Sequence, residues 1–464
     1  MARVFVMLSG GVDSSVVAYI LKTLGHSVVG VYMRRWWDTR FGACPAKEDM
    51  QYVRAIGKML EIPVHMIDVR KEYEQQVIQD MLQAYKNGVT PNPDVLCNRH
   101  IKFKLFTDFA FKNGADFVAS GHYARVSNVT DLTSAGFSTK KQLLQDAFLS
   151  LPLDSFKDQT YFLYDIDYQV LPKVMFPLEF LIKPVVRSLA QILDLPTANR
   201  PDSTGICFIG DLEMSKFLQH MIGTEPGDII DIDTGQKVGK HQGLWFYTIG
   251  QRKGLGIGGV SPAYYVVKKD AKNNVLYVAK GRFNKHIFSH VIKLTNVNWL
   301  LHKDYVKFLD NKQVGLLIRY RSWPYLAKLK LIKSAGRAGK GQGEGRQGGH
   351  SGYEVALEYK DLPYIQDVRE KQGFWAVAPG QSAVIYSQVF DKIDYVRVRQ
   401  FYRKIGLDID KLENITTKSA RQRHKFAQEF IEHVFAKPTQ QALGEFLEKH
   451  KRNVAVLGGG VIVG

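Results

Sequence analysis

The residues best suited to chemistry in this chain are the string Ser9-Gly10-Gly11-Val12-Asp13-Ser14-Ser15 and the cysteines Cys97 and Cys207. The string directly follows an apolar run at 4–8 and opens an amphipathic stretch, so it should turn a strand into a helix. Its two glycines let the backbone approach a phosphate closely, while Ser14, Ser15 and the amides of a helix N-terminus supply donors where the macrodipole favours an anion. A pyrophosphate-sized anion fits such a turn. Cys44, Cys97 and Cys207 are too few and too scattered for a disulfide framework, which leaves thiol chemistry as the more informative use of a pair. Asp94 stands three residues before Cys97, behind Pro91 and Pro93, where a restrained backbone could hold it as a general acid/base or as an orienting group.

Composition narrows the partner. The chain of 464 residues carries a formal charge of +18, which favours a polyanion through phosphate neutralisation and counterion release, although a basic but otherwise ordinary enzyme fits the same balance. No apolar run reaches the roughly 18 residues that span a bilayer, and the first residues lack the pattern of a secretory signal. A cytoplasmic protein without a membrane segment is expected.

The elements that must position these residues are legible as a rhythm. Short β-branched runs at 4–8, 28–33, 64–68 and 117–120 alternate with amphipathic stretches at 14–24, 48–60 and 73–85, as in a parallel sheet with crossover helices. Gly121 and His122 then fall where a strand's carboxyl end faces the ligand crevice. The stretch 211–281 is Gly-rich. Alternating segments at 314–320, 325–332, 353–359 and 383–386 suggest a small antiparallel barrel, interrupted by a basic loop at 334–352. Residues 418–436 and 439–449 carry apolar stripes at helical spacing, expected to face the core of their own domain. The expected division is an α/β catalytic domain at 1–210, a small central Gly-rich domain at 211–281, and a barrel at 282–464 with a helical insertion at 387–455.

The phosphate string lacks the lysine of a Walker loop and resembles the loop of the ATP pyrophosphatases. Further motifs extend the resemblance: Thr90-Pro91-Asn92-Pro93-Asp94-Val95-Leu96-Cys97-Asn98, Gly121-His122-Tyr123-Ala124-Arg125, Lys157-Asp158-Gln159-Thr160-Tyr161-Phe162-Leu163, Asp202-Ser203-Thr204-Gly205-Ile206-Cys207-Phe208-Ile209-Gly210 and Pro379-Gly380-Gln381-Ser382-Ala383. Together they closely resemble the bacterial tRNA-specific 2-thiouridylases, in order and over most of the chain. Departures are confined to the stretches 127–156, 334–352 and 387–455.

The resemblance implies an adenine-nucleotide α-hydrolase-like (PP-loop) fold and a reaction in which ATP adenylates the 2-oxygen of a wobble uridine before sulfur replaces it. It assigns Met7, Leu8, Ser9, Gly10, Gly11, Val12, Asp13 and Ser14 to the ATP phosphates, and Met33 and Gly121 to the adenosine. Asp13 is a candidate for holding Mg²⁺. Cys207 becomes the persulfide carrier and Cys97 the thiol that forms a transient disulfide with it, with Asp94 beside the target base. Contacts with tRNA fall to Asn92, Pro93, Asp94, His122, Lys157, Asp158, Gln159, Arg319, Tyr320 and Gln381. Cys44 has no partner among the motifs and reads as structural. The implied partners are tRNA and a persulfide donor or relay protein, with a monomer expected and an iron–sulfur cluster left open.

Two rivals share parts of this pattern. Another adenylating ligase would use the same loop without paired cysteines, and a tRNA-binding protein without catalysis would need neither the loop nor the thiols.

Overall fold

The computed structural model describes residues 1–37, 40, 44, 46–127, 147–202, 214–259, 261–301, 306–333, 353–360, 372–390, 392–407, 409–415, 418–450 and 454–463. Two compact units emerge, one of 1–74, 97–210 and 390–456, the other of 75–96, 211–389 and 457–464. No described helix is long and apolar enough to cross a membrane.

The first unit contains strands β1 (Arg3–Met7), β2 (Ser27–Arg34), β3 (Val64–Asp68), β4 (Phe117–Ala119), the hairpin pair β5 (Arg125–Ser127) and β6 (Phe148–Ser150), and β7 (Val174–Met175). Five of them form a parallel sheet in the order β3-β2-β1-β4-β7. Successive side chains of β1 serve opposite faces, as a strand dictates. Val4 and Val6 enter the core that also holds Val16, Val17 and Leu21 of helix Val12–Thr23 and Val186 and Leu189 of helix Lys183–Ile192. Phe5, on the other face, meets Phe109 of helix Phe106–Lys112 edge-on at 6.4 Å. Because β2 and β4 flank β1, strand order reverses there, and a crevice opens beyond the carboxyl ends of β1 and β4. The α/β expectation holds, and its strands and helices lie within a few residues of where periodicity put them.

The C-terminal helices correct one expectation. Tyr395–Lys404, Ile409–Asn414, Ala420–Val434 and Lys437–Lys449 were expected inside the barrel domain, but Val398, Tyr402, Leu412, Phe430, Ile431, Leu443 and Leu447 are buried in the same core as the parallel sheet. Their apolar stripes read correctly as core; which core they complete is invisible in a periodicity. Phe401 and Phe446 stack at 4.1 Å between these helices, and Ser419 with Gln422 forms a capping box at the start of Ala420–Val434.

In the second unit β8 (Gly227–Asp231), β9 (Lys237–His241), β10 (Tyr264–Asp270) and β11 (Val275–Lys280) form a sheet in the order β10-β11-β8-β9, within the stretch that the sequence marked only as Gly-rich. Then β12 (Phe288–Ser289) pairs with β17 (Phe374–Trp375). A closed barrel follows, built from β13 (Val291–Trp299), β14 (Gln313–Leu317), β15 (Tyr325–Lys333), β16 (Tyr353–Lys360), β18 (Ser382–Tyr386) and β19 (Val456–Ile462), in the order β13-β16-β15-β14-β18-β19. The basic loop 334–352 and most of the stretch 127–156 lie outside the described residues.

Candidate active site

A cleft of about 290 Å³ lies in the first unit at the crevice predicted from strand order. Met7, Leu8, Ser9, Gly11, Val12, Asp13, Ser14, Met33, Gly121 and His122 line it, together with Cys97, Lys157 and Gln159. Gly10 and Asp158, also expected at the site, stand in the loops beside it: the Gly10 carbonyl accepts from Arg200 at 2.8 Å, and the Asp158 carboxylate accepts from the Thr160 amide at 3.0 Å and the Thr160 hydroxyl at 2.7 Å.

Backbone geometry explains why the loop needs glycine at position 10. Gly10 has φ +77°, and a Cβ there would lie 2.8 Å from a guanidinium nitrogen of Arg200 and 2.9 Å from the Asp49 carbonyl. Gly121 closes the other wall, where a Cβ would lie 2.9 Å from the Ser14 amide nitrogen. Gly121→Ala should therefore push the two loops apart and weaken ATP binding at least tenfold, about 1.4 kcal/mol. Calorimetric titration with a non-hydrolysable ATP analogue checks this, and an unchanged affinity would remove Gly121 from the nucleotide site. Within the loop, the Ser14 hydroxyl lies 3.2 Å from that of Ser9 and 3.1 Å from the Gly11 carbonyl, and Ser15 donates to the same carbonyl at 2.9 Å.

A charged network spans the floor. The Asp13 carboxylate accepts from Tyr123 at 3.0 Å and from the Lys183 amine at 2.6 Å. Lys183 also reaches Asp202 at 2.9 Å, and Lys157 and Arg187 converge on that same carboxylate. Burial alone would raise the pKa of Asp202, but the hydrogen bonds from Lys157 and Lys183 hold it below the usual carboxylate range and keep it ionised. Burial, with Asp13 alongside, pushes the Tyr123 phenol well above its ordinary value. Arg200 pairs with Asp49 and lies 4.8 Å over the Tyr52 ring.

Cys97 begins a π-helical stretch, Cys97–Leu105, a geometry uncommon in proteins and frequent at functional sites. Asn98 and Arg99 anchor the stretch by donating to the Phe162 carbonyl at 2.9 Å and to Asp165 at 2.8 Å. The buried Cys97 side chain and Lys102, five residues on, both line the cleft. Lys102 approaches Nε2 of His122 at 3.2 Å, while Nδ1 lies 2.8 Å from the Ser120 hydroxyl. Burial, and secondarily the Lys102 charge, drives the His122 pKa well below its usual value. The ring is neutral, and because an ammonium only donates, Nε2 accepts and Nδ1 carries the proton. Phe103 and Phe176 flank this ring. Both nitrogens of a residue expected to read tRNA are thus engaged in the cleft wall.

Cys207, the expected persulfide carrier, lies outside the described residues. Cys44 is half-buried and does not line the cleft. Lys102, Lys183, Arg200 and Asp49 had no signal of their own in the sequence. Of these, Arg200 alone could have been suspected, because it closely precedes the motif beginning at Asp202.

The remaining expected residues belong to the second unit. Pro93 and Asp94 begin the short helical turn Pro93–Leu96. Asn92 donates to the Ser382 hydroxyl at 3.5 Å, and the Gln381 amide donates to the carbonyls of Thr90 at 3.0 Å and Pro91 at 3.2 Å. Arg319 donates to the carbonyls of Ile249 at 2.6 Å and Ala376 at 2.9 Å and lies 5.1 Å over the Trp375 ring. Arg319→Ala should then cost about 1.5–3 kcal/mol of stability, the scale of hydrogen bonds from a charged donor. Denaturant unfolding measures the loss. A stable variant with weakened tRNA binding would instead mark a residue that meets phosphate.

The family model described as the tRNA methyl transferase HUP domain matches residues 2–211, and that described as the tRNA methyl transferase PRC-barrel domain matches residues 215–280. The tRNA-specific 2-thiouridylase MnmA of Blochmanniella floridana is 45% identical over 392 residues, covering 83% of this chain and 94% of that protein. The MnmA of Bacillus subtilis is 45% identical over 385 residues, with 83% and 91% covered. That of Lactiplantibacillus plantarum is 46% identical over 306 residues, with 65% and 78% covered. On identity at this level over most of both chains, the protein belongs to the tRNA-specific 2-thiouridylase family.

Proposed function

We propose that the chain converts the wobble uridine of tRNA to 2-thiouridine, using ATP to activate the base and a cysteine persulfide to supply sulfur. The observation that carries this reading is the presence of Cys97 in the same cleft as the pyrophosphate loop. A phosphate loop alone fits any adenylating ligase, and a buried thiol alone fits a core position. Together they fit a reaction that needs both.

The chemistry runs in balanced steps. The uridine 2-oxygen attacks the α-phosphorus of ATP, the bond to the β-phosphate oxygen breaks, and pyrophosphate leaves with the electron pair. The Cys97 thiolate then attacks the inner sulfur of a persulfide on Cys207, forming a Cys97–Cys207 disulfide and releasing hydrosulfide. Hydrosulfide adds to C2, and AMP leaves with the former 2-oxygen. A dithiol reductant resets the disulfide. The Ser9–Ser14 turn binds the phosphates through its amides and hydroxyls, and Asp94 orients or exchanges a proton with the base. When bound with the nucleotide, magnesium would supply neutralisation of phosphate charge, and Asp13, a carboxylate on the first turn of the helix at the phosphate site, would hold it in exchange for its contact with Lys183.

The tRNA meets a protein with a charge of +18 that acts in the cytoplasm as a monomer and takes sulfur from a persulfide donor. The domain descriptions mention methyl transfer, a reaction for which neither a pyrophosphate loop nor a thiol pair is required. Incubating the protein with ATP, unmodified tRNA and a persulfide donor, then analysing nucleosides by mass spectrometry, separates the two. 2-Thiouridine with stoichiometric AMP is the expected product, and thiolation without ATP consumption would sink the reading. Iron and labile-sulfide analysis of anaerobically purified protein tests the cluster route in parallel.

A further inference from the structure

We propose that Lys183 is the cation that takes up the charge of the departing pyrophosphate, replacing the lysine that this phosphate loop lacks. The proposal deepens the adenylation reading above and rests on it. In a Walker loop the lysine belongs to the loop itself. Here the string Ser9–Ser15 contains none, yet an amine from a residue 170 positions later stands 2.6 Å from Asp13 in the middle of it.

Three features argue that Lys183 serves catalysis and is more than a tie between carboxylates. Its side chain is 8% exposed and lines the cleft, so the little surface it has faces the nucleotide site. Asp202 does not depend on it, because Lys157 at 2.6 Å and Arg187 also reach that carboxylate and would keep it neutralised if Lys183 turned to a phosphate. The cleft is also electropositive: Arg35, Lys102, Lys157, Lys183 and Arg200 line it against Asp13, Asp49 and Asp202, five cations to three carboxylates, with His122 neutral. An arriving triphosphate meets an excess of positive charge, and Lys183 is the cation in direct contact with the loop's carboxylate.

Its placement is built into the fold. Lys183 opens helix Lys183–Ile192, and its amide donates at 2.7 Å to Asp154, a fully buried carboxylate. Asp154 also accepts the amides of Phe156 at 2.9 Å and Lys157 at 3.0 Å, and the hydroxyl of Tyr395 from the C-terminal helices at 3.1 Å. One buried carboxylate therefore fixes the backbone of both lysines that meet at Asp202. Such preorganisation is what gives a charged donor its value where charge develops. In the step itself the bond between the α-phosphorus and the bridging oxygen breaks, the electron pair stays on that oxygen, and Lys183 donates hydrogen bonds to it without losing its proton.

Single-turnover pyrophosphate release with bound tRNA is the test. Lys183→Met should slow it by about 10²–10³-fold, the scale for removing one preorganised donor, with tRNA affinity unchanged. Lys183→Arg should recover part of the rate, because charge returns in a different geometry. Release at the wild-type rate in a folded Lys183→Met variant would overturn the proposal. If that variant fails to fold, the wild-type protein still decides: Mg–ATP or pyrophosphate should protect Lys183 from an amine-acylating reagent at least fivefold, read by peptide mass spectrometry. Equal labelling with and without nucleotide would also overturn it. Wild-type thiolation in the same preparation distinguishes failure here from failure of the functional reading.

Discussion

Cys97→Ser and Cys207→Ser should each abolish 2-thiouridine formation, by on the order of 10³-fold or more, the scale seen when a nucleophile is removed. A serine hydroxyl is almost never ionised near neutral pH and cannot form a persulfide, so neither half of the sulfur relay survives the exchange. The two variants should differ in what they retain. Cys207→Ser should not accept labelled sulfur from a persulfide donor, whereas Cys97→Ser should accept it and stall. Both should bind ATP and tRNA, since the phosphate loop and its charged neighbours are untouched. Nucleoside analysis alongside sulfur retained on each protein provides the readout. Normal thiolation by either variant would require another sulfur route, such as cluster-bound sulfide.

For Asp13→Ala the expected result is loss of pyrophosphate release by about 10²-fold or more, on the scale of removing one charge-stabilising group. Structure adds a second consequence that composition could not show. Asp13 accepts from both Tyr123 and Lys183, so its removal leaves a buried phenol without this acceptor and a nearly buried amine with Asp202 as its remaining carboxylate. An unfolding cost of about 1–3 kcal/mol follows from the unmet donor. Asp13→Asn separates the effects, because an amide oxygen still accepts from Tyr123 while the charge is gone. Asparagine should restore most of the stability and little of the rate. Pyrophosphate release at the wild-type rate in either variant would remove Asp13 from the reaction.

The chemistry of this protein was largely legible before any fold. A glycine pair between a β-branched strand and an amphipathic helix has few uses besides holding an anion, and the parallel sheet follows from apolar runs alternating with helical ones, since both are consequences of local geometry. Four of the six barrel strands were readable for the same reason, from period-two alternation; Val291–Trp299 and the glycine-rich Val456–Ile462 were not. The π-helical stretch at Cys97–Leu105 was not legible, because no residue pattern distinguishes it from an α-helix.

Tertiary structure decided what depends on closure across long separations. Lys183 meets Asp13 across 170 residues, and Tyr395 meets Asp154 across 241. Neither pair has a period or a local motif, since a salt bridge or a buried hydrogen bond constrains only where two chain segments end, whatever lies between them. The same reason explains why polar residues were harder to assign than apolar ones. An amphipathic stripe says that it is buried, as the helices Ala420–Val434 and Lys437–Lys449 are, but not against which core. A polar side chain such as Gln381, Arg319 or His122 has donors and acceptors that either partner or backbone can engage, and in this fold backbone carbonyls, a lysine and a serine engage them. Residue type determines which bonds a group is able to make, and only the folded chain determines which of them remain for a substrate.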